Sequence, residues 1–447
     1  MSPSPDPAPV VPDGAGPRWS AWRVVWWFGF VSLAADMVYE GARSVYGPLL
    51  ATLGASALVV GLVTGLGEAM ALLLRLLFGP LADRSGRYWA LTIAGYGLTA
   101  VCVPLLAVTP FVGGAGLALG VVLILLERSG KAVRSPSKSA LLAHVAGAVG
   151  RGRGFGVHKA LDQIGAFAGP LVVAALIAAT GAIWPALLVL AVPGAAAMVL
   201  LAVIRSRVPD PSVYDPSMPD PAHDVPHAAP TSEPSGIPAP TGPSRGRGVR
   251  GWLSDAVGRG LPPAFLRYAL AAGLTTGGLV TFGIIGYHLT VEGLLPVAAV
   301  PLAYAGAMAM EALAALGVGA VYDRVGGSAL YAVPFLVALV PGLALAGSVW
   351  PALAGIAVWG LAHGVQDSTV KALVADLVAA PRRATAYGVF AGAQGGFAVV
   401  GGVVAGWLYG RSVPALVVVV ALSQAVALVL LVRTVRSVRT GSTVRVG

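Results

Sequence analysis

The chain has 447 residues, of which 57% are hydrophobic and only 11% charged, and its mean hydropathy is +0.81. Soluble domains carry about 25% charge, so a soluble enzyme or nucleic-acid-binding domain is excluded, and the net charge of +10 needs another explanation. The apolar runs are long and continuous rather than alternating, which excludes a membrane β-barrel and predicts an all-α polytopic membrane protein.

In chain order, residues 1–17 are Pro-rich and lack an apolar core behind basic residues, so they read as a disordered tail rather than a signal peptide. A first group of apolar segments fills residues 18–204, at about 24–50, 57–78, 89–109, 114–135, 154–180 and 183–204. Trp19, Trp22, Trp26 and Trp27 at its start read as an interfacial belt. Residues 205–262 are polar and repeat Pro with Asp, Ser, Ala and His from Pro209 to Pro243, which describes a disordered linker. Within it, residues 249–258 have the pattern of a short amphipathic surface helix. A second group fills 263–434, at about 264–290, 295–320, 329–348, 351–376, 385–409 and 413–433, before a basic tail at 435–447. The expectation is twelve transmembrane helices in two six-helix bundles.

Basic residues gather in alternate loops. Arg84, Arg87, Lys138, Arg151, Arg153, Arg324, Arg382, Arg383 and the linker arginines share one side with both termini, whereas Glu292 and Arg411 are the main charges opposite. The positive-inside rule then places both termini in the cytoplasm and the chain in a cytoplasmic membrane. It also accounts for the net charge without nucleic acid.

Ionisable residues at membrane depth are functional candidates by default. Asp36, Glu68 and Glu127 lie near the middle of the first, second and fourth segments. Glu40 and Arg43 continue the Asp36 stripe outward, with Asp36 and Glu40 four residues apart on one face. A carboxylate removed from water binds a proton more readily. Asp36, Glu40 or Glu68 therefore binds a coupling proton, or is permanently paired with Arg43 or Arg128. The block from Glu127 to Leu171 is the densest: Glu127, Arg128, Lys131 and Arg134 on the fourth segment, then His158, Lys159 and Asp162 on the fifth. Glu127 and Arg128 are adjacent, hence about 100° apart on a helix, and do not form a simple pair. Arg128 either takes part in proton handling or pairs with Asp162 or a carboxylate of the first half; Asp162 is expected to pair with one of Lys131, Arg134, His158 and Lys159, and Arg134 and Lys159 are expected to snorkel to the interface. In the second half, Glu311 has no local partner, His363 is a proton or ligand contact or a packed histidine, and Asp367 and Lys371 satisfy each other at i,i+4. The lone Cys102 sits in an apolar run, so no intramolecular disulfide forms. There is no Gly-x-x-x-x-Gly-Lys-Ser/Thr phosphate loop and no Cys or His cluster with metal-site spacing, so enzyme activity, ATP drive, a cofactor and a metal are not expected.

The two halves repeat each other. Gly79–Arg87 (GPLADRSGR) corresponds to Gly319–Gly327 (GAVYDRVGG), with Asp83, Arg84 and Gly86 matched by Asp323, Arg324 and Gly326. Residues 154–169 align with 386–401 at a constant offset. Repeated bundles joined by a long linker fit a transporter that rocks its halves about a midplane site.

On these residues the chain resembles the major facilitator superfamily. Gly79, Asp83, Arg84, Gly86 and Arg87 are similar to its signature between the second and third helices. The resemblance implies that the glycine permits close helix contact and the charges latch one conformational state. In the second copy, Gly327 replaces the last basic residue and weakens the latch. Gly156, Gly165, Gly169 and Pro170 resemble the fifth-helix signature of drug–proton antiporters, although Val173 and Ala174 stand where that pattern has glycines. Arg128 resembles the basic residue that antiporters carry in the fourth helix. A narrower likeness, to bacterial members without assigned substrates, covers Arg128, Gly130, Lys131, Arg134, Pro136, Phe155, Gly156, His158, Asp162 and Pro170, with Lys138-Ser139 in place of Arg-Asp. The resemblance implies proton-coupled export of a small molecule by a monomer in the lipid bilayer. The alternatives are proton symport of a small anion or metabolite through Arg43, Arg128 and Lys131, and a non-transporting membrane sensor or lipid-handling protein.

Overall fold

A computed structural model describes residues 19–214, 261–378 and 382–443. The N-terminal tail, most of the linker including 249–258, and the side chains of Asp323 and Lys371 lie outside the described residues. Among those residues there are fifteen α-helices and no strand. The first half contains α1 (Ala21–Arg43), α2 (Tyr46–Thr52), α3 (Ala57–Ser85), α4 (Tyr88–Leu105), α5 (Gly116–Val149), α6 (Arg151–Thr180), α7 (Ile183–Val189) and α8 (Ala191–Arg207). The second contains α9 (Pro263–Gly278), α10 (Phe282–Val291), α11 (Ala299–Val325), α12 (Ala332–Ala344), α13 (Val349–Leu377), α14 (Arg383–Tyr409) and α15 (Val413–Thr443).

Three pairs of helices each make one broken pass: α1 with α2, α7 with α8, and α9 with α10. The first and seventh passes occupy equivalent places in the repeat, and both are broken in the half remote from the linker. Ten segments among the described residues are long and apolar enough to cross a membrane. The other two passes are α5, which carries Glu127, Arg128, Lys131 and Arg134, and α13, which carries His363, Gln366 and Asp367.

Within the first half, α1 packs on α6 and α8, and α5 packs on α3 and α4; within the second, α13 packs on α11 and α12, and α9 on α14 and α15. The halves meet where α3 lies on α14, α6 on α11 and α2 on α10. The α3–α14 seam depends on small residues. A Cβ added at Gly402 would come within 3.0 Å of the Gly65 Cα, so these backbones pack at a separation that only glycine allows.

The sequence expectation fails at several places. The fourth helix does not end near residue 135; α5 runs through Pro136 to Val149, and the expected basic turn shrinks to Gly150, at φ +90°. Apolar patterning stops where the helix leaves the bilayer, but backbone hydrogen bonding does not. Trp19 is not part of an exposed belt: it is buried against Trp27, with ring centroids 4.7 Å apart. Tyr214, just past the sixth pass, donates a hydrogen bond to the Trp19 carbonyl at 2.5 Å. The segment entering the linker therefore folds back under the first bundle. Gly86 and Gly326 both end their helices at φ +62°; Gly86 does so in the left-handed turn and Gly326 at ψ −147°, both conformations that favour glycine.

Of the expected packing residues, Gly165 and Gly169 face α1. An added Cβ would lie 2.9 Å from the Leu33 Cα at Gly165 and 3.0 Å from the Gly41 nitrogen at Gly169. Gly156 contacts nothing within 4 Å and makes no close approach. Gly79 is equally open, so the helix contact expected there is not formed in this state. α6 continues unbroken through Pro170. Val173 is fully buried in the main apolar core, so a bulky side chain is accommodated at that position.

Candidate functional site

A cavity of about 550 Å³ lies between the bundles. The first half lines it from α1, α3, α5 and α6, and the second half from α9, α11, α13 and α14. Asp36, Glu40, Arg43, Glu68, Lys131, Asp162, Glu311 and His363 all face it, as do Arg134, Lys138 and Lys159. Glu127 and Arg128 lie behind this wall, 0% and 2% exposed. From Glu40 and Arg43, the lining runs past Arg75, Lys138 and Lys159 toward the ends of the helices on the linker side. On the opposite side α2 abuts α10, where the Gly286 Cβ position meets the Pro48 ring at 3.2 Å.

The i,i+3 and i,i+4 spacing on α1 presents Asp36, Glu40 and Arg43 along one stripe, and three networks grow from it. At its end remote from the linker, Arg43 donates to Glu68 Oε1 at 2.6 Å. The same oxygen lies 3.5 Å from Arg128 Nη2. Glu68 is thus clamped between two arginines, the permanently paired arrangement. Arg128 also donates to the Tyr39 hydroxyl, and its Nε lies 3.9 Å from Glu127 without a hydrogen bond. Its carboxylate partner is therefore Glu68 of the first half rather than Asp162. Glu127 accepts from the Tyr46 hydroxyl and from Thr99, each at 3.4 Å.

The second network lies at the linker-side end of the stripe. The Asp36 and Asp162 carboxyls stand next to each other at the cavity wall. Two neighbouring carboxyls repel when both are ionised, which favours one proton held between them. Lys159 holds Asp162 at 2.9 Å, and Arg134 stands 3.7 Å from Asp36. Arg134 does not snorkel: it is 4% exposed, donates to Thr99 at 2.5 Å and lies over the Tyr96 ring. Its guanidinium finds acceptors inside the bundle, which outweighs the pull of the interface. Lys159 keeps 63% of its side chain exposed, as a snorkelling lysine does. His158 is buried rather than interfacial, 3.2 Å from the Ser32 hydroxyl that also accepts from Lys138 at 3.0 Å.

The third network crosses between bundles. Glu40 accepts a hydrogen bond from the Tyr304 hydroxyl on α11 at 2.5 Å. Thr64 and Thr281 bridge the halves at 2.7 Å. On the wall of the second half, His363 stacks on Trp359 at 5.3 Å and 6°. Gln366 and Gln394 both donate to Thr276, at 2.6 and 3.1 Å. Glu311 faces the cavity with no ion pair or side-chain hydrogen bond among the described residues.

The described residues expected to gate lie outside the lining of this cavity. Asp83 accepts from Tyr88 at 3.1 Å, and Gly86 caps α3. Sequence reasoning missed Arg75, although it lies seven residues, two helical turns, beyond Glu68 and that spacing could have found it. Tyr304, Trp359 and Thr276 were also missed. Nothing local marks them, because aromatic and hydroxyl residues are ordinary in apolar helices.

The family model described as Major Facilitator Superfamily matches residues 28–338. An uncharacterized protein of Mycobacterium tuberculosis (strain ATCC 25618 / H37Rv) is 48% identical over 416 residues, covering 93% of each chain. An uncharacterized MFS-type transporter of Methanocaldococcus jannaschii is 30% identical over 145 residues, 32% of this chain and 35% of its own. Among solved structures, the nucleoside transporter NupG aligns with a TM-score of 0.69 at 14% identity, over 92% of this chain and 99% of that one. A POT family transporter in complex with 5-aminolevulinic acid aligns at 0.68 and 11%, over 94% and 96%.

Proposed function

The chain belongs to the major facilitator superfamily and is a secondary transporter of small molecules rather than an enzyme, and from that premise we propose that it couples solute movement to protons by alternating access, in the direction of export. The proton site is the Asp36–Asp162 carboxyl pair. The observation that carries this reading is the juxtaposition of the two carboxyls at the wall of a cavity shared by both bundles. Such a pair exchanges one proton between the cavity and the first bundle, and its net charge sets how strongly Arg134 and Lys159 are held. Glu40 then links protonation to movement, since its partner Tyr304 belongs to the other bundle. Glu68, clamped by Arg43 and Arg128, is the scaffold of this reading rather than the proton carrier.

Loop charge supports a cytoplasmic location for both termini in the cytoplasmic membrane, and on that reading the cavity extends toward the cytoplasm. The signature residues Gly79, Asp83, Arg84, Gly86 and Arg87, with Asp323 and Arg324 in the second repeat, then act as the gate on the cytoplasmic side. The glycines and proline of α6 favour antiport by resemblance, and Gly165 and Gly169 bring α6 onto the helix that carries Asp36 and Glu40.

The test is growth of an efflux-deficient bacterial host on a broad panel of toxic compounds, with the intact protein and with Asp36→Asn at matched expression. Protection against a compound class that drops by about tenfold or more in Asp36→Asn, about 1.4 kcal/mol in the coupled step, is the expected result. Protection unaltered by Asp36→Asn refutes the proton assignment. Proton movement with the solute, rather than against it, in proteoliposomes reverses the direction to symport.

A further inference from the structure

We propose that the solute is amphoteric: a small organic molecule with an anionic group for Arg75 and Lys131, a cationic group for Glu311, and a flat apolar body that lies on Trp359. This narrows the transporter reading above to a substrate class, and rests on it.

The inference begins with which charges in the cavity lack a partner. Arg43, Arg128 and Arg134 each stand within ion-pair distance of a carboxylate, and Lys159 holds Asp162. Arg75 makes no direct ion pair or hydrogen bond among the described residues, and its buried Nε has no acceptor. Lys131 points its ammonium at the Tyr39 ring, 3.6 Å from the centroid, with no carboxylate in ion-pair reach among those residues. Lys138 is engaged by the Ser32 hydroxyl at 3.0 Å, so on the wall of the first half Arg75 and Lys131 are the cations open to something outside the protein. Across the cavity, Glu311 on α11 is the complementary case, a carboxylate without a counter-charge. The parallel Trp359–His363 stack beside it is a flat surface, fixed by the bond from the Trp359 indole to the Val280 carbonyl at 2.8 Å.

Water in an open cavity hydrates these three groups. Alternating access removes that water as the bundles close, and an unpaired charge out of water is costly. A singly charged solute leaves one wall uncompensated at closure. A solute carrying both charges compensates both walls at once, so it favours the occluded state that transport requires. The cavity volume of about 550 Å³ lies in the range that encloses a small organic molecule.

The test uses the full chain in lipid nanodiscs and compounds matched in body but not in charge. L-Phenylalanine, phenethylamine and 3-phenylpropionate form one set; L-tryptophan, tryptamine and indole-3-propionate form another; Phe-Ala and its singly charged N-acetyl and amide forms make a third. Binding is read as ligand-dependent thermal stabilisation. In at least one set, the zwitterion should act at a concentration about tenfold lower than either singly charged partner, about 1.4 kcal/mol. Arg75→Gln should erase its advantage over the cation, and Glu311→Gln its advantage over the anion. Misfolding would weaken all three compounds together, so these opposite losses separate recognition from stability. A singly charged compound that binds as well as its zwitterion, full discrimination in either variant, or no binding in any set overturns the inference. Proton flux in proteoliposomes driven by singly charged compounds, without preference for the zwitterion, overturns the substrate class and leaves transport standing. Zwitterion binding without solute-driven proton flux sustains the class and removes proton coupling.

Discussion

Glu68 and Asp36 are both carboxylates near mid-membrane, yet their surroundings assign them different work. Glu68 Oε1 is 2.6 Å from Arg43 and 3.5 Å from Arg128, whereas Arg43 meets Glu40 only at 3.8 Å and Arg128 meets Glu127 only at 3.9 Å. Removing one partner of a buried ion pair leaves an uncompensated charge, which costs about 3–5 kcal/mol. The Glu68 side chain is 30% exposed, so Glu68→Gln is expected to lose about 2–3 kcal/mol after that discount, seen as a lower melting temperature of the purified protein. Asp36 has a different neighbourhood: a second carboxyl, with Arg134 at 3.7 Å. Asp36→Asn keeps a hydrogen-bonding amide there and should melt within a few degrees of the parent while losing proton-coupled transport. A large fall in melting temperature for Asp36→Asn, with none for Glu68→Gln, would exchange the two roles.

Among the elements, the seam between α1 and α6 is the most exacting. Leu33, Met37 and Gly41 of α1 present backbone, not side chain, to Gly165 and Gly169. A larger residue on α6 must push the helices apart or strain its rotamer, at a cost of about 1–3 kcal/mol. Gly169→Leu should therefore lower thermal stability by that amount and displace Asp36 from Asp162. Gly156→Leu, in open space about two and a half turns from Gly165, should be silent in the same melting experiment. Equal effects at the two sites would mean that glycine serves helix flexibility here rather than close packing. α3 and α14 show the same dependence across the bundle interface at Gly65 and Gly402.

For the whole molecule, the question is what holds one conformation over another. The far ends of the bundles are joined by α2 on α10, and deeper by Tyr304 to Glu40 and Thr64 to Thr281. A hydrogen bond to a charged group is worth about 1.5–3 kcal/mol. Tyr304→Phe should thus shift the equilibrium away from this state by about tenfold or more, measured as interspin distances across the far and linker-side ends in nanodiscs. The lone native thiol, Cys102, is buried, which simplifies the labelling. Unchanged distance distributions in Tyr304→Phe would leave the packing of α2 on α10 as the determinant.

The sequence by itself determined the class, the number of passes, the repeat and the family. These follow from continuous apolar length, from loop charge and from turn residues such as Gly86 and Gly326, whose physical requirements are local. It also found most of the charges in the cavity, because an ionisable residue stands out against lipid-facing sequence whatever its partner. Tertiary structure alone decided the pairings: that Glu68 belongs to two arginines, that Asp36 meets Asp162, and that Arg134 turns inward instead of reaching the interface. Each pairing joins different helices, and the strength of such an interaction depends on distance and burial that no spacing along one helix contains. The same holds for Tyr304, Trp359 and the open side of Arg75: their chemistry is ordinary until folding places them at one cavity between two bundles.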